Sequence, residues 1–222
     1  MSTAAALRGL RILVSAGPTF EDIDPVRFIG NRSSGKMGFA LAQAAAQRGA
    51  QVVLVAGPVS LPTPEGVSRI DVRSAAQMHE AVLSQLPADV YIGAAAVADF
   101  APAQAASNKI KKTAGQDTLT LTLVRTRDIL ADIAGHAQRP RVVVGFAAET
   151  DHVEAYARGK LENKRLDLIA ANRVGVAGSG FESDDNTLSV YAADGAAHVL
   201  GPAPKTVLAG ELLDLIAARL TA

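Results

Sequence analysis

The residues best suited to chemistry stand in a few short segments. Gly30-Asn-Arg-Ser-Ser-Gly-Lys-Met37 nearly matches a Walker A phosphate loop, G-x-x-x-x-G-K-[ST]. Met37 occupies the place of the magnesium-binding Ser or Thr, and the segment does not directly follow a strand. A simpler anion site remains: Ser33, Ser34 and Gly35 open a helix, whose free N–H groups and positive dipole end suit a phosphate. The same residues also suit a serine-capped helix with a glycine for close packing, and both readings stand at this point. Gly93-Ala-Ala-Ala-Val-Ala-Asp-Phe100 offers a run of small side chains that lets a flat ring or a phosphate approach the backbone. Asp99 at its end suits a ribose hydroxyl, a substrate amide or a cation; tight helix–sheet packing with Asp99 in a turn is the alternative.

Cations come in two sets. Lys109-Ile-Lys-Lys112 puts three ammonium groups in four residues, either as a solvated run or as a polyphosphate contact. Lys160 and Lys164, at i and i+4, project from one helix face, with Glu162 near enough to pair on the surface. In Gly145-Phe-Ala-Ala-Glu-Thr150, Phe146 suits stacking on a base or filling the core. Together these segments suggest a nucleoside triphosphate held by a ring of cations at neighbouring strand ends.

The elements that must position them follow from periodicity. Short Val/Ile/Leu runs alternate with helical segments, the pattern of βαβ units and a mainly parallel sheet. Strands are predicted at 11–16, 51–56, 69–72, 89–96, 141–148 and 166–171, with a half-exposed, near-edge strand at 118–124. Helices are predicted at 35–48, from a capping box at Ser74 and Gln77, and at 126–136, 153–164 and the C-terminus. A hairpin over 187–200 turns at Ala193-Asp194-Gly195. The fold class is therefore α/β, Rossmann-like and three-layered, with a C-terminal β-hairpin and helix. Residues 1–8 are expected to be a disordered start or linker remnant, and 9–222 a single domain. Residues 17–34, between the first strand and its helix, far exceed the usual connection of about two to six. Long structured loops of this kind tend to carry function.

Composition narrows the chemistry. Cysteine is absent, which excludes disulfides, thiolate catalysis and cysteine-held metals. The four histidines show no metal-ligand spacing. Acidic and basic residues balance at 22 each, against a global field for nucleic acid or membrane. No run approaches a membrane span, so a cytoplasmic protein is expected.

With these residues assembled, the chain resembles the phosphopantothenate–cysteine ligase family, in the bacterial form usually fused behind a flavin-dependent decarboxylase. The resemblance rests on A-G-P-T at 16–19, D-P-V-R-F-I-G-N-R-S-S-G-K-M-G at 24–38 and A-G-P-V-S-L-P-T-P at 56–64. It continues through A-A-V-A-D-F at 95–100, K-I-K-K at 109–112, G-F-A-A-E-T at 145–150 and A-N at 171–172. It implies a Rossmann-like homodimer with shared active sites that uses CTP, with Mg²⁺ or Mn²⁺, and carries no flavin in this chain. Phosphopantothenate, L-cysteine and CTP are the implied small partners, with a fused or associated decarboxylase and neither nucleic acid nor membrane. By motif, Asn31 holds the acyl-cytidylate and Arg27 grips the phosphate of phosphopantothenate in the neighbouring subunit's site. Gly93, Ala94, Ala95, Ala96 and Asp99 form the wall for nucleotide and pantothenate chain, Asp99 doubling as a metal contact beside the triphosphate. Lys109, Arg127, Asp128, Ile129, Leu130, Phe146, Lys160 and Lys164 fall on nucleotide positions, and Lys109 offsets charge at the reacting phosphate. The family's usual Asn-Pro-Asp near 126–128 is Thr126-Arg-Asp here.

Two other readings compete. A nicotinamide or flavin oxidoreductase would share the βαβ pattern, but the G-x-G-x-x-G fingerprint is missing. A nucleotide sensor would bind CTP without releasing pyrophosphate.

Overall fold

The computed structural model of the chain describes residues 7–112, 117–173 and 185–221. The N-terminal start expected at 1–8 lies outside them as far as residue 6. Leu7 is fully buried in the core, and Gly9 N–H donates to Gly49 O at 3.0 Å.

Six parallel strands form the centre: β1 (Arg11–Ala16), β4 (Gln51–Ala56), β5 (Val67–Asp71), β6 (Val90–Gly93), β9 (Val142–Glu149) and β10 (Leu168–Arg173). Their spatial order is β5-β4-β1-β6-β9-β10, so the winding reverses between β1 and β6. That reversal opens a crevice beyond the carboxyl ends of the strands, where α/β folds bind ligands. Two antiparallel strands, β11 (Asp185–Ala192) and β12 (Ala197–Pro204), extend the sheet beyond β10. Their turn closes with Gly195 N–H donating to Ala192 O at 3.0 Å, at the place predicted from Ala193-Asp194-Gly195.

Strand alternation sends successive side chains to opposite faces. Ile12, Val14, Ala16, Leu54 and Val144 face α1 (Lys36–Gln47) and α5 (Lys205–Thr221). Leu13, Val55, Val143 and Ile169 face α2 (Ala75–Ser84), α3 (Ile129–Ala134) and α4 (Val153–Asn163). Both faces are covered, which is why the strands are nearly continuous aliphatic runs. The capping box at α2 is present as predicted, Ser74 Oγ accepting from Gln77 N–H at 3.2 Å.

Two expectations need adjusting. The alternation over 118–124 yields only a short strand, β8 (Leu123–Arg125), and it does not join the main sheet. It pairs with β7 (Phe100–Pro102) in a separate two-stranded sheet. Its alternating threonines and leucines satisfy a surface ribbon as well as a sheet edge. The strand predicted over 89–96 stops at Gly93, and residues 94–96 continue as extended chain stitched to the loop after β1.

The long loop after β1 folds as a hairpin of β2 (Phe20–Asp22) and β3 (Phe28–Gly30). Phe20 and Phe28 stack at 4.0 Å between centroids, and the Arg73 guanidinium lies 5.6 and 5.5 Å from the two rings while pairing with Asp22. Buried Glu21 accepts from Ala75 N–H at 2.8 Å, so the hairpin is tied to the start of α2. At the hairpin turn Asp24 is buried and accepts from the N–H groups of Val26 and Arg27 and from the Arg27 side chain. Those bonds, Arg27 foremost, hold its carboxyl far below the usual carboxylate range.

Candidate active site

A cleft of about 650 Å³ opens at the switch point. Its lining includes the buried pair of Ser15 Oγ, near the end of β1, and Tyr91 Oη, from within β6, 2.9 Å apart. Burial pushes the Tyr91 phenol well above its ordinary range, so it is neutral at any working pH.

One wall is the start of α1. Its N-cap is Gly35, at φ +77°, which has no side chain of its own to cap it. Ser33 instead accepts from Gly35 N–H at 3.3 Å, closing the turn ahead of the helix. The close glycine packing expected of this segment is present. A Cβ on Gly35 would meet Val59 Cγ1 at 3.1 Å, and one on Gly38 would sit 2.4 Å from Ala16 Cβ. Glycine at 38 lets the helix start press directly on the end of β1, and residues 35–38 line the cleft there.

The opposite wall is the run Gly93–Val97, with Asp99 at its edge. Ala94 N–H donates to Ser15 O and Ala96 N–H to Gly17 O, both at 2.9 Å. Asn31, exposed at the end of the hairpin, donates its amide to Ala96 O at 2.9 Å. That bond joins the β3 hairpin to the small-residue wall and fixes the amide at the cleft mouth. Thr126 Oγ1 donates to Ala98 O at 2.6 Å, and Thr126 N–H to Asp99 O at 3.0 Å. The segment departing from the usual Asn-Pro-Asp is therefore still tied to this wall.

The third side carries charge. Lys160 and Lys164, from α4, line the cleft with Arg127–Leu130 and Phe146. Lys160 Nζ pairs with Glu149 at 2.7 Å and Lys164 Nζ with Asp128 at 2.8 Å. Asp128 also caps α3 by accepting from Ala131 N–H at 3.1 Å. Arg127 is mostly exposed and pairs with Asp132, itself bound to His79 Nε2 at 2.7 Å.

The structure thus brings together Asn31, Ser33, Ser34, Gly35, Gly93, Ala94, Ala95, Ala96, Asp99, Arg127, Asp128, Ile129, Leu130, Phe146, Lys160 and Lys164 around one cleft. Arg27 and Lys109 do not line it. Arg27 pairs with Asp24 and donates to Ile110 O at 2.9 Å, while Ile110 N–H donates to Asp24 at 3.1 Å. Ala106 N–H donates to Ile23 O at 2.9 Å. The lysine-rich segment and the Arg27 turn are accordingly clamped into one unit, with Lys109, Lys111 and Lys112 exposed. Sequence reasoning assigned no role to Ser15, Tyr91, Asn172, Asn186 or Lys205, all of which line the cleft. For Asn172 the signal was visible: a carboxamide closing the apolar run Leu168–Ala171 at a strand end.

Comparison with known proteins identifies the family of the chain. The family described as the DNA/pantothenate metabolism flavoprotein C-terminal domain matches residues 7–220. The coenzyme A biosynthesis bifunctional protein CoaBC of Vibrio cholerae is 52% identical over 95% of this chain and 53% of its own length. That of Escherichia coli is 51% identical over 96% of this chain, again 53% of the relative. The chain therefore spans about half the length of the curated relatives it matches. A crystal structure of the C-terminal domain of CoaBC superposes with a TM-score of 0.82 at 39% identity, covering 98% of both chains. The resemblance drawn from the motifs is borne out: the chain belongs to the family of the DNA/pantothenate metabolism flavoprotein C-terminal domain, the phosphopantothenate–cysteine ligase part of the bifunctional coenzyme A biosynthesis proteins.

Proposed function

We propose that this cleft joins phosphopantothenate to L-cysteine at the expense of CTP. In the first half-reaction a carboxylate oxygen of phosphopantothenate bonds to the α-phosphorus of CTP and pyrophosphate leaves. In the second, the cysteine amine attacks the acyl carbon, the C–O bond to CMP breaks, and the amine proton passes to solvent. The observation that carries this reading is the convergence on one cleft of the glycine-led start of α1, the Asn31 amide, a wall of small residues and two lysines. Two anionic reactants must meet, so the task is cancelling charge and holding geometry, with no protein nucleophile required. The ion pairs to Glu149 and Asp128 keep Lys160 and Lys164 extended along the wall; a triphosphate would compete with those carboxylates.

A divalent cation fits as a companion of the nucleotide. Among the described residues no group of three or more His, Cys, Asp or Glu side chains could cage a metal. The exposed carboxylate of Asp99 at the cleft edge supplies one protein oxygen, the usual arrangement for Mg²⁺ shared with phosphates. When bound, the ion neutralises phosphate charge; Asp99 would orient it.

The dimer belongs to the same proposal. Val26 and Phe28 on the hairpin and Phe100, Leu123 and Val124 on the second small sheet are large apolar side chains left exposed, which suits a contact with a second copy of the chain. In that dimer the unit carrying Arg27 and Lys109 would complete the neighbour's cleft. Among the described residues no helix is long and apolar enough to cross a membrane.

Nucleotide choice tests the reading. The wall at Gly93–Ala96 is built from backbone held at fixed register, and fixed backbone donors and acceptors reject the wrong base by leaving polar groups unpaired. With phosphopantothenate and cysteine saturating, kcat/KM for CTP should exceed that for ATP by at least about tenfold, the lower end of what pocket contacts achieve. Equal values would remove the base-recognition part of the proposal, and no product with either nucleotide would remove the whole.

A further inference from the structure

Asp24 accepts more hydrogen bonds than its turn requires. At the tip of the hairpin between β2 and β3, its Oδ1 accepts from the N–H groups of Val26 and Arg27, both at 2.8 Å. That is the local turn an Asx side chain makes, and a single oxygen suffices, so asparagine would make it equally well. The second oxygen has a different task. Asp24 Oδ2 accepts from Arg27 Nε at 3.0 Å, from Arg27 Nη2, and from the Ile110 N–H at 3.1 Å. Arg27 Nη2 in turn donates to Ile110 O at 2.9 Å. Asp24, Arg27 and the Ile110 backbone thus close a ring around a residue only 2% exposed.

The ring holds the lysine-rich segment. Residues 103–112 lie in no helix or strand. Among the described residues, the only hydrogen bonds of the stretch from Lys109 to Lys112 are the two of the Ile110 backbone. Half-buried Ile110 sits between exposed Lys109 and Lys111, so the place of these ammonium groups depends on that one contact. On its other side the ring uses Nε and Nη2 of Arg27 and leaves Nη1 without a partner among the described residues, on a side chain 43% exposed. A planar guanidinium gripped along one edge presents its remaining donors to an anion in a fixed plane.

We infer that Asp24 is a positioning residue: its Oδ2 ties the Arg27 guanidinium to the backbone of the lysine segment, so that the cation for the phosphate of phosphopantothenate and the cation for the nucleotide are delivered as one rigid pair. This rests on the ligase reading above. In Asp24→Asn the amide oxygen can keep the turn, but the NH₂ that replaces Oδ2 then faces the donors of Arg27 and Ile110 and cannot bond them. Turning the amide over repairs the ring only by breaking the turn. The hairpin keeps its other ties, Glu21 to the start of α2 and the stack of Phe20 on Phe28.

Trypsin, which cuts after lysine, reads the clamp in the full chain without any substrate. Wild type should be cut slowly at Lys109, Lys111 and Lys112 although all three are exposed; in Asp24→Asn those cuts speed up at least about tenfold, with cleavage elsewhere unchanged. Turnover reads the consequence. In Asp24→Asn kcat/KM falls about 10²-fold, the scale of a misplacement of about 1 Å away from the chemistry. Lys109→Gln and Arg27→Gln then each remove less than about a further tenfold, because the cation they delete is already out of place. An aspartate that served only the hairpin would leave the lysine cuts slow, and its loss would multiply in full with both. Should Asp24→Asn fail to fold, Ile110→Pro takes its place: it deletes the N–H that Oδ2 holds, leaves Asp24 and Arg27 intact, and should show the same weakened effect of Lys109→Gln. The inference is overturned if trypsin cuts variant and wild type alike, or if Lys109→Gln lowers turnover by the same factor in both backgrounds. In either case wild type still turns over and the ligase reading survives. Absence of product from wild type would instead remove that reading, while trypsin still reports the clamp.

Discussion

Asn31→Asp should give a folded protein that binds CTP and makes almost no phosphopantothenoylcysteine. The wild-type amide donates to Ala96 O at 2.9 Å, which holds the side chain against the small-residue wall. A carboxamide can donate and accept beside a mixed anhydride without adding charge. Aspartate of the same shape has no N–H to donate, so its carboxylate is repelled by the Ala96 carbonyl and stands next to an anionic intermediate. Loss of one preorganised contact costs about 10²–10³ in rate, and the added like charge pushes the loss to at least the upper end. Asn31 is exposed, so the fold should lose no more than about 1 kcal/mol, the scale of one surface hydrogen bond. Nucleotide binding survives because the start of α1, Lys160 and Lys164 are untouched. Exchange of labelled pyrophosphate into CTP without cysteine separates the half-reactions. Product formation at the wild-type rate would mean that the intermediate does not lie against Asn31.

Lys109→Gln should cost about 10²–10³ in turnover with little change in melting temperature. The side chain is exposed, and what anchors its segment is the backbone of Ile110 and Ala106 bonded to Asp24, Arg27 and Ile23. Removing one ammonium leaves that clamp intact. Because Lys109 does not line the cleft of its own chain, we expect it to serve the neighbour's. Mixing Lys109→Gln with Asn31→Asp should then form heterodimers in which one cleft has both residues intact, and activity should partly return. Unchanged turnover in Lys109→Gln would return the lysine run to a solvated surface. No recovery after demonstrated subunit exchange would mean that Asn31 and Lys109 act within one chain.

The sheet was legible because burial on both faces writes itself into sequence as unbroken aliphatic runs: 11–16, 51–56 and 141–148 fall within one residue of β1, β4 and β9. The hairpin turn at Gly195 and the cap at Ser74 were legible because each rests on local chemistry. What alternation could not tell was which sheet a strand joins. The pattern over 118–124 is that of any half-exposed ribbon, and only tertiary contact with Phe100–Pro102 decides its partner. The left-handed start of α1 was also hidden, since only the folded chain shows Gly35 against Val59 and Gly38 against Ala16. Within the site, the strand-end residues were visible as odd types in apolar contexts. Asn186 was not, because an asparagine inside β11 looks like any polar strand position until the fold brings that strand to the cleft.

The central claim is that one cleft activates a carboxylate with a nucleotide and passes the acyl group to an amine. Pyrophosphate release measures it most directly, with CTP, phosphopantothenate and cysteine each omitted in turn. The account predicts sustained release only with all three, at most a stoichiometric burst without cysteine, and none without phosphopantothenate. Release that ignores phosphopantothenate, or CTP binding with no release under the full set, would contradict it.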